Sequence, residues 1–343
     1  MHCTLLLSDL LLPLALGSEP YADLRLPALE TWLARGSVVM QPAIEPEAWS
    51  CRAFGVAKQH DWPVASLTLK ADGVDPEHYY WLRADPVELR VDRGQLMMGG
   101  SVTNLDPDEA RDLVAALNRH FASNGINFLA PFPQRWYLRV ERAPQLITTP
   151  LAHTVGRDID RHLPRGDAAL DWHRVINEAQ MVLHAHDVNA AREARGAAAI
   201  NSIWLWGGGI MPAVFKPRYR TVWSDDIVLR ALTAAAGIAQ HSLLASGAAW
   251  LAAATEDDDP LLGFDQFAGA LRAGDIMAWR GRLALLERDW ISPLLAALRA
   301  GKLSAITLTA CNGENLLEAT LAPSQLWRFW RRARPLASYA GAV

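Results

Sequence analysis

The stretch from Asp171 to Gly209 restricts the possible folds more than any other part of this chain. Val175, Ile176, Ala179, Val182 and Leu183 recur at the helical period behind Asp171, which stands where an N-cap belongs. A shorter helix follows through Arg192 and ends at Gly196. Ile200 to Trp206 is then a run of strand formers, and Gly207, Gly208 and Gly209 read as a tight turn. Two helices feeding a strand in so short a span require a mixed architecture. Hydrophobic residues make up 51% of the 343 positions and charged residues 20%, enough apolar side chains for a large core.

The remaining elements interleave in the same way. Pro27 to Gly36 predicts a short helix with Leu29, Trp32 and Leu33 on one face and glycine at its end. Residues 78 to 98 predict strands. Asp106-Pro107-Asp108-Glu109 combines an N-cap, a first-turn proline and a capping-box glutamate, and Ala110, Leu113, Val114, Leu117 and Phe121 continue it as a helix. Trp136, Leu138 and Val140 alternate with Tyr137, Arg139 and Glu141, the pattern of a half-buried strand. Helical patterns cover 225 to 245 and 277 to 299, and Asn312-Gly313 between 305–311 and 316–321 is a hairpin signal. The class is α/β.

Several functions are disfavoured at once. The net charge of −4 offers no general reason to bind nucleic acid or an anionic membrane. No apolar run reaches the roughly 20 residues of a membrane helix. Residues 5 to 13 lack a preceding Lys or Arg and are interrupted by Asp9, so they predict a buried first strand rather than a secretion signal. Cys3, Cys51 and Cys311 are far apart and odd in number, which predicts free thiols in a cytoplasmic setting. No GxSxG, GxGxxG or P-loop pattern occurs.

What the 171–209 segment offers instead is anion chemistry. Asn177, His184, His186, Asn189, Arg192, Asn201 and the backbone of Gly207 and Gly208 supply amide, imidazole and guanidinium donors beside a glycine turn. The plain alternative is a capped helix pair followed by an ordinary turn. His184 and His186 would share a face only on a strand, and no third ligand is near in sequence, so satisfied polar histidines are the expectation and no metal is assigned to them. Asp225 and Asp226 are either paired carboxylates or, more simply, the cap of the helix beginning at Ile227. Arg328, Arg331, Arg332 and Arg334 in the aromatic tail read as a solvated helix face.

The run Asn177-Glu178, His186-x-Val188-Asn189-x-x-Arg192-x-x-x-Gly196, Asn201 and Gly207 to Gly209 resembles the archaeal-type cofactor-independent phosphoglycerate mutases. Asp106 to Phe121 is similar to their acidic-start helix, Trp136 to Val140 to a strand bearing an arginine (here Arg139), and Asp158 to His162 to their Asp-Pro-His region. Trp81 to Val87 and Trp204 to Gly209 more specifically resemble a bacterial side branch that includes regulatory proteins of the pathogenicity-factor type. The resemblance implies an alkaline-phosphatase-like core from 1–102 and 213–343, with a substrate-type α/β domain inserted at 103–212. It also implies two divalent metals (Mn or Mg), Asp and His ligands, and a serine nucleophile.

The chain departs from that pattern where the chemistry would occur. Its last histidine is His241. Asn312-Gly313 stands where the resemblance implies Asp-His, Val64 or Ala65 falls at the serine, and Trp206 replaces an arginine. Only Asp9 matches a first-strand ligand, with Ser66 as a displaced substitute for the nucleophile. The expectation is therefore a phosphoglycerate-mutase-like protein with a degenerate metal site, no cofactor, and a regulatory role. It would bind a small phosphorylated or carboxylated ligand, or a partner protein, through Arg139, Asn177, His184, His186, Asn189, Arg192 and Asn201. Two alternatives stand beside it. One is an active mutase or phosphatase in which Asp9, Ser66, Asp225 and Asp226 meet with Mn or Mg. The other is a structural interaction module that presents an aromatic surface.

Overall fold

The computed structural model describes residues 1–12, 16–92, 94–102, 104–255, 259–272, 275–314 and 316–340. The chain forms two compact units, one from Met1–Gly55 with the chain from Lys216 onward, the other from Val56–Phe215. In chain order the strands are β1 (His2–Ser8), β2 (Ser37–Gln41), β3 (Tyr80–Asp92), β4 (Gln95–Ser101), β5 (Ile126–Phe132) and β6 (Arg135–Val140). They continue with β7 (Ser202–Gly209), β8 (Thr221–Trp223), β9 (Ala239–His241), β10 (Pro260–Phe264), β11 (Ala305–Cys311) and β12 (Leu316–Leu321).

The first unit is built on a seven-stranded sheet in the order β2-β12-β11-β1-β10-β8-β9. β1 lies between β10 and β11 and is parallel to both. That position explains its composition, since a strand flanked by parallel neighbours and covered on both faces must be apolar throughout. Cys3, Leu5 and Leu7 are fully enclosed. At the other edge β12 runs antiparallel to β11 and β2. It reaches β11 through the turn expected at Asn312-Gly313, where Gly313 takes φ +78°.

Helices pack this sheet into one core with Trp32, Trp250 and Trp279 at its centre. Pro27–Arg35 is a helix closed at Gly36, as its sequence predicts. The helical pattern over 225–245 is only partly realised. The helix Ile227–Ala236 stops because Gly237 adopts the left-handed conformation at φ +67°, and the chain then forms β9. Over 277–299 the helices Ile276–Leu286 and Ser292–Arg299 are joined by a π-helical turn at Glu287–Ile291. In that turn the Glu287 carboxylate accepts the Ala28 and Leu29 amides at 2.6 and 3.0 Å, satisfying two of the open donors at the start of the Pro27 helix.

The second unit holds β4-β3-β6-β5, with β7 paired to β3. This unit runs over Val56–Phe215 and includes β3, which exchanges hydrogen bonds with β4, β6 and β7. The helix Pro107–His120 opens with the expected capping box between Asp106 and Glu109. The helices Ala169–His184 and Asp187–Ala194 follow the predicted pair. Two local expectations change. On the second face of β6 Tyr137 is buried too, packed with Ala65, Leu69 and Trp81, while Arg135 and Arg139 stay partly exposed. Gly207 to Gly209 are not a turn; they are the last residues of β7. A Cβ on Gly208 would run into the Tyr80 hydroxyl and come within 2.8 Å of Leu82 Cδ2, so these glycines give clearance to neighbouring side chains.

Candidate functional site

In an open α/β sheet the carboxyl ends of the parallel strands are the usual place for a ligand. In the first unit this edge carries Asp9 after β1, Ser224 to Asp226 after β8, Asp265 after β10 and Asn312 after β11. Asp9 takes φ +61°. Its amide donates to the Cys311 carbonyl at 3.0 Å, and its own carbonyl accepts the Trp279 indole at 3.1 Å. Asn312 donates to the Leu11 carbonyl at 2.9 Å and accepts the Glu314 amide at 3.0 Å. Ser224 donates to the Gly263 carbonyl and accepts the Asp226 amide.

Asp226 caps the helix Ile227–Ala236, with Oδ1 accepting the Leu229 amide at 2.8 Å. The cap reading of Ser224-Asp225-Asp226 is the one realised. Burial pushes the Asp226 carboxyl up to about 6; the Leu229 amide opposes this, while Glu47 and Asp265 add to it. Burial, together with Glu47, Asp9, Glu45 and Glu318, also drives the Cys311 thiol well above its ordinary value. The edge is therefore acidic. Among the described residues no three His, Cys, Asp or Glu side chains are placed to share an ion. Asp226 and Asn312 are committed to backbone groups, and His241 stacks on Trp223 at 4.3 Å.

Ser66 lies within the helix Val64–Ala71 and is fully buried, its hydroxyl donating to the Pro63 carbonyl at 3.1 Å. It occupies a helix interior and not an exposed nucleophile position.

The motif residues of the second unit are distributed among framework roles. Arg192 is fully enclosed. Its guanidinium donates to the Ala198 carbonyl at 2.8 Å, to Glu109 at 2.6 Å, and to the carbonyl and side chain of Asn104. Asn189 donates to the Leu183 and Ile200 carbonyls and accepts the Ile200 amide, which ties the two helices to the approach of β7. Asn201 clasps the backbone of Leu89 from both sides, at 2.7 and 2.8 Å.

His186 is the N-cap of the helix Asp187–Ala194, its Nδ1 accepting the Val188 amide. Arg139 stacks on Tyr79 at 4.4 Å. Asn177 and His184 are exposed on the helix Ala169–His184. Gly207 donates its amide to Thr148 at 2.9 Å, while Gly208 sits against Tyr80. Asn177 and His184 thus face solvent while Asn189 and Arg192 are buried, and the four do not meet in one cavity.

Sequence patterns did not reveal a second buried polar network. Arg83 and Asp85 form an ion pair at 2.5 Å inside the second unit, and the Trp206 indole donates to Asp85 at 2.7 Å. Arg83 also lies 5.2 Å from the rings of Tyr137 and Trp206. Their i, i+2 spacing on a strand was the available signal. The presence of Trp206 is thereby explained, because its N–H completes the carboxylate that neutralises Arg83. Nearby, Asp61 accepts the Trp62 amide and both the amide and hydroxyl of Thr148, and burial raises its carboxyl above the ordinary value.

The tail departs from the expected helix face. After a short 3-10 turn at Pro323–Trp327 it folds back, leaving Trp327, Phe329 and Trp330 between 66% and 77% exposed.

No family model matches the chain. Over 178 residues it is 29% identical to the 2,3-bisphosphoglycerate-independent phosphoglycerate mutase of Methanothrix thermoacetophila, covering 47% of this chain and 44% of that protein. It is 28% identical over 190 residues to phosphoglycerate mutase 2 of Methanothermobacter thermautotrophicus, covering 48% and 46%. The aligned part thus spans less than half the length of these two relatives. Among solved structures it is similar to the cofactor-independent phosphoglycerate mutase of Thermoplasma acidophilum, with TM-score 0.52, 15% identity, and 100% and 95% of the two chains covered. It is also similar to the PH0037 protein of Pyrococcus horikoshii, with TM-score 0.52, 13% identity, and 93% and 87% covered. Part of the chain is thus similar in sequence to archaeal phosphoglycerate mutases, and its α/β fold is similar to that of the Thermoplasma acidophilum protein.

Proposed function

We propose that this phosphoglycerate-mutase relative acts by binding and not by metal-dependent phosphoryl transfer. Its ligand is a small phosphorylated or carboxylated molecule, or a partner protein, and its role is regulatory. The observation that carries this reading is the state of the carboxyl edge and of Ser66. A two-metal transfer needs several free carboxylate and imidazole donors around an activated hydroxyl. Here Asp226 and Asn312 are bound to backbone groups, and Ser66 is buried against the Pro63 carbonyl.

The competing reading is an active mutase or phosphatase using Mn or Mg. The acidic character of the edge around Asp226, Glu47 and Asp265 favours it. Incubation of purified protein with 3-phosphoglycerate and manganese, following 2-phosphoglycerate formation, separates the two. The expected result is no turnover above a protein-free control. Turnover that disappears with a chelator would overturn the binding reading and establish the enzyme.

A further inference from the structure

We infer that the first unit carries a site for a small organic anion with a flat ring, formed where residues 330–339 fold back over the end of the helix Pro27–Arg35. The inference rests on the binding reading above and gives it a place. A cavity of about 540 Å³ opens there, within the range typical of small-molecule sites. Its apolar wall comes from Leu33 and Val38, and two aromatic residues, Trp330 and Tyr339, line it as well. Trp330 is 66% exposed and meets Phe329 edge-on at 5.4 Å. An indole left so open next to a concavity offers a flat partner for a ring.

The charge around this cavity is one-sided. Arg331, Arg332 and Arg334 all line it. Two tail arginines are engaged by the end of the helix: Arg328 donates to the Arg35 carbonyl and Arg331 to the Gly36 carbonyl, each at 3.2 Å. Arg35 in turn donates to the Leu326 carbonyl at 2.7 Å. These bonds fasten the tail and answer the open carbonyls of a helix C-terminus. Arg332 and Arg334 are exposed, and neither forms an ion pair or hydrogen bond among the described residues.

Burial raises the Tyr339 phenol, with Arg334 opposing and Glu30 adding to the rise, and burial raises the Glu30 carboxyl as well. Glu30 makes no ion pair with any of these guanidiniums among the described residues. Guanidiniums this close in sequence, beside aromatic residues and an apolar wall, are complementary to a phosphate, sulfonate or carboxylate attached to a ring.

The test uses the full chain and 8-anilinonaphthalene-1-sulfonate, an aromatic sulfonate whose emission rises on leaving water. Saturable one-to-one binding is expected. Arg332→Gln with Arg334→Gln should weaken it roughly tenfold or more, and Trp330→Ala should weaken it independently. The uncharged analogue N-phenyl-1-naphthylamine should bind more weakly than the sulfonate and ignore the arginine substitutions. Adenosine monophosphate should compete better than inorganic phosphate. The inference is overturned if the arginine substitutions leave sulfonate affinity unchanged, or if the uncharged analogue binds equally well. Mutase turnover with arginine-dependent sulfonate binding would defeat the binding reading and leave this site standing. Absent turnover with no arginine dependence would do the reverse. All substituted side chains are exposed, and unchanged thermal unfolding checks that the variants remain folded.

Discussion

Replacing Asp226 by Asn isolates the electrostatic part of its role, because Asn caps a helix about as well as Asp and keeps the oxygen that accepts the Leu229 amide. Asp226 has an ordinary value of 3.8 that rises to about 6 in the folded protein, chiefly through burial, with Glu47 and Asp265 adding repulsion. A carboxyl raised on folding contributes stability that is complete below its unfolded value and is lost as pH rises toward the folded one. At about 1.4 kcal/mol per pH unit, the ionised carboxylate costs the folded state up to about 3 kcal/mol above pH 6. Asp226 as a residue is only half-buried, and water reaching it lowers the expected cost to about 1–3 kcal/mol.

Guanidinium unfolding at pH 7.5 should therefore show Asp226→Asn more stable than the parent by that amount, with an unchanged m-value. At pH 4 the gain should shrink to under about 1 kcal/mol, since the folded carboxyl is then protonated and the unfolded one is only about half ionised. A gain independent of pH, or a loss of stability at pH 7.5, would refute the reasoning and make the carboxylate a favourable charge at this edge.

The other predictions concern the second unit and one joint of the first. Arg192→Ala should destabilise the protein by about 3 kcal/mol, because it empties a fully enclosed site and removes the guanidinium that joins Glu109, Asn104 and the Ala198 carbonyl. Arg192→Lys should recover only part of this, since one ammonium cannot reach three acceptors in a plane; urea denaturation reads both. Tyr80→Phe should be neutral or stabilise by up to about 1 kcal/mol, because the buried Tyr80 hydroxyl has no hydrogen-bond partner among the described residues. Gly208→Ala should cost about 1–3 kcal/mol and cost less in the Tyr80→Phe background, where the atom it strikes is gone. Glu287→Ala should lower the thermal midpoint by leaving the Ala28 and Leu29 amides without an acceptor.

The elements that could be read from the sequence were those whose local and tertiary requirements coincide. Asp106-Pro107-Asp108-Glu109 starts a helix by its own hydrogen bonds, so no distant partner is needed to predict it. β1 and the Asn312-Gly313 turn are equally self-announcing. Gly207 to Gly209 end a strand instead of forming a turn, and the reason lies more than a hundred residues away, in Val64 and Tyr80, the side chains they must clear. The polar residues after Asn177 show the limit for function. Arg, Asn and His in a motif offer the same donors to a ligand as to a carbonyl, and spacing alone cannot distinguish the two. Only the positions of Ala198, Asn104 and Glu109 show where the Arg192 donors go. Similarly, the burial of Arg83 and Asp85 depends on Trp206 and Tyr137 arriving from later in the chain.

The place of β1 between β10 and β11 has a consequence for a chain emerging from the ribosome. Residues 56–215 form a contiguous unit and can complete their own sheet as soon as they are synthesised. β1, made before that unit, cannot do so, because the neighbours of Leu5 and Leu7 are Leu262, Phe264, Leu308 and Ala310. At roughly 5–20 residues per second, synthesis from residue 216 to 311 alone takes on the order of ten seconds. Throughout that interval an unpaired Leu-rich edge waits in solution, a natural target for a holding chaperone and a hazard for aggregation. A circular permutant that starts after the second unit would make β10 and β11 before β1 and so shorten that wait, and its yield of soluble protein on rapid synthesis should exceed that of the natural chain order.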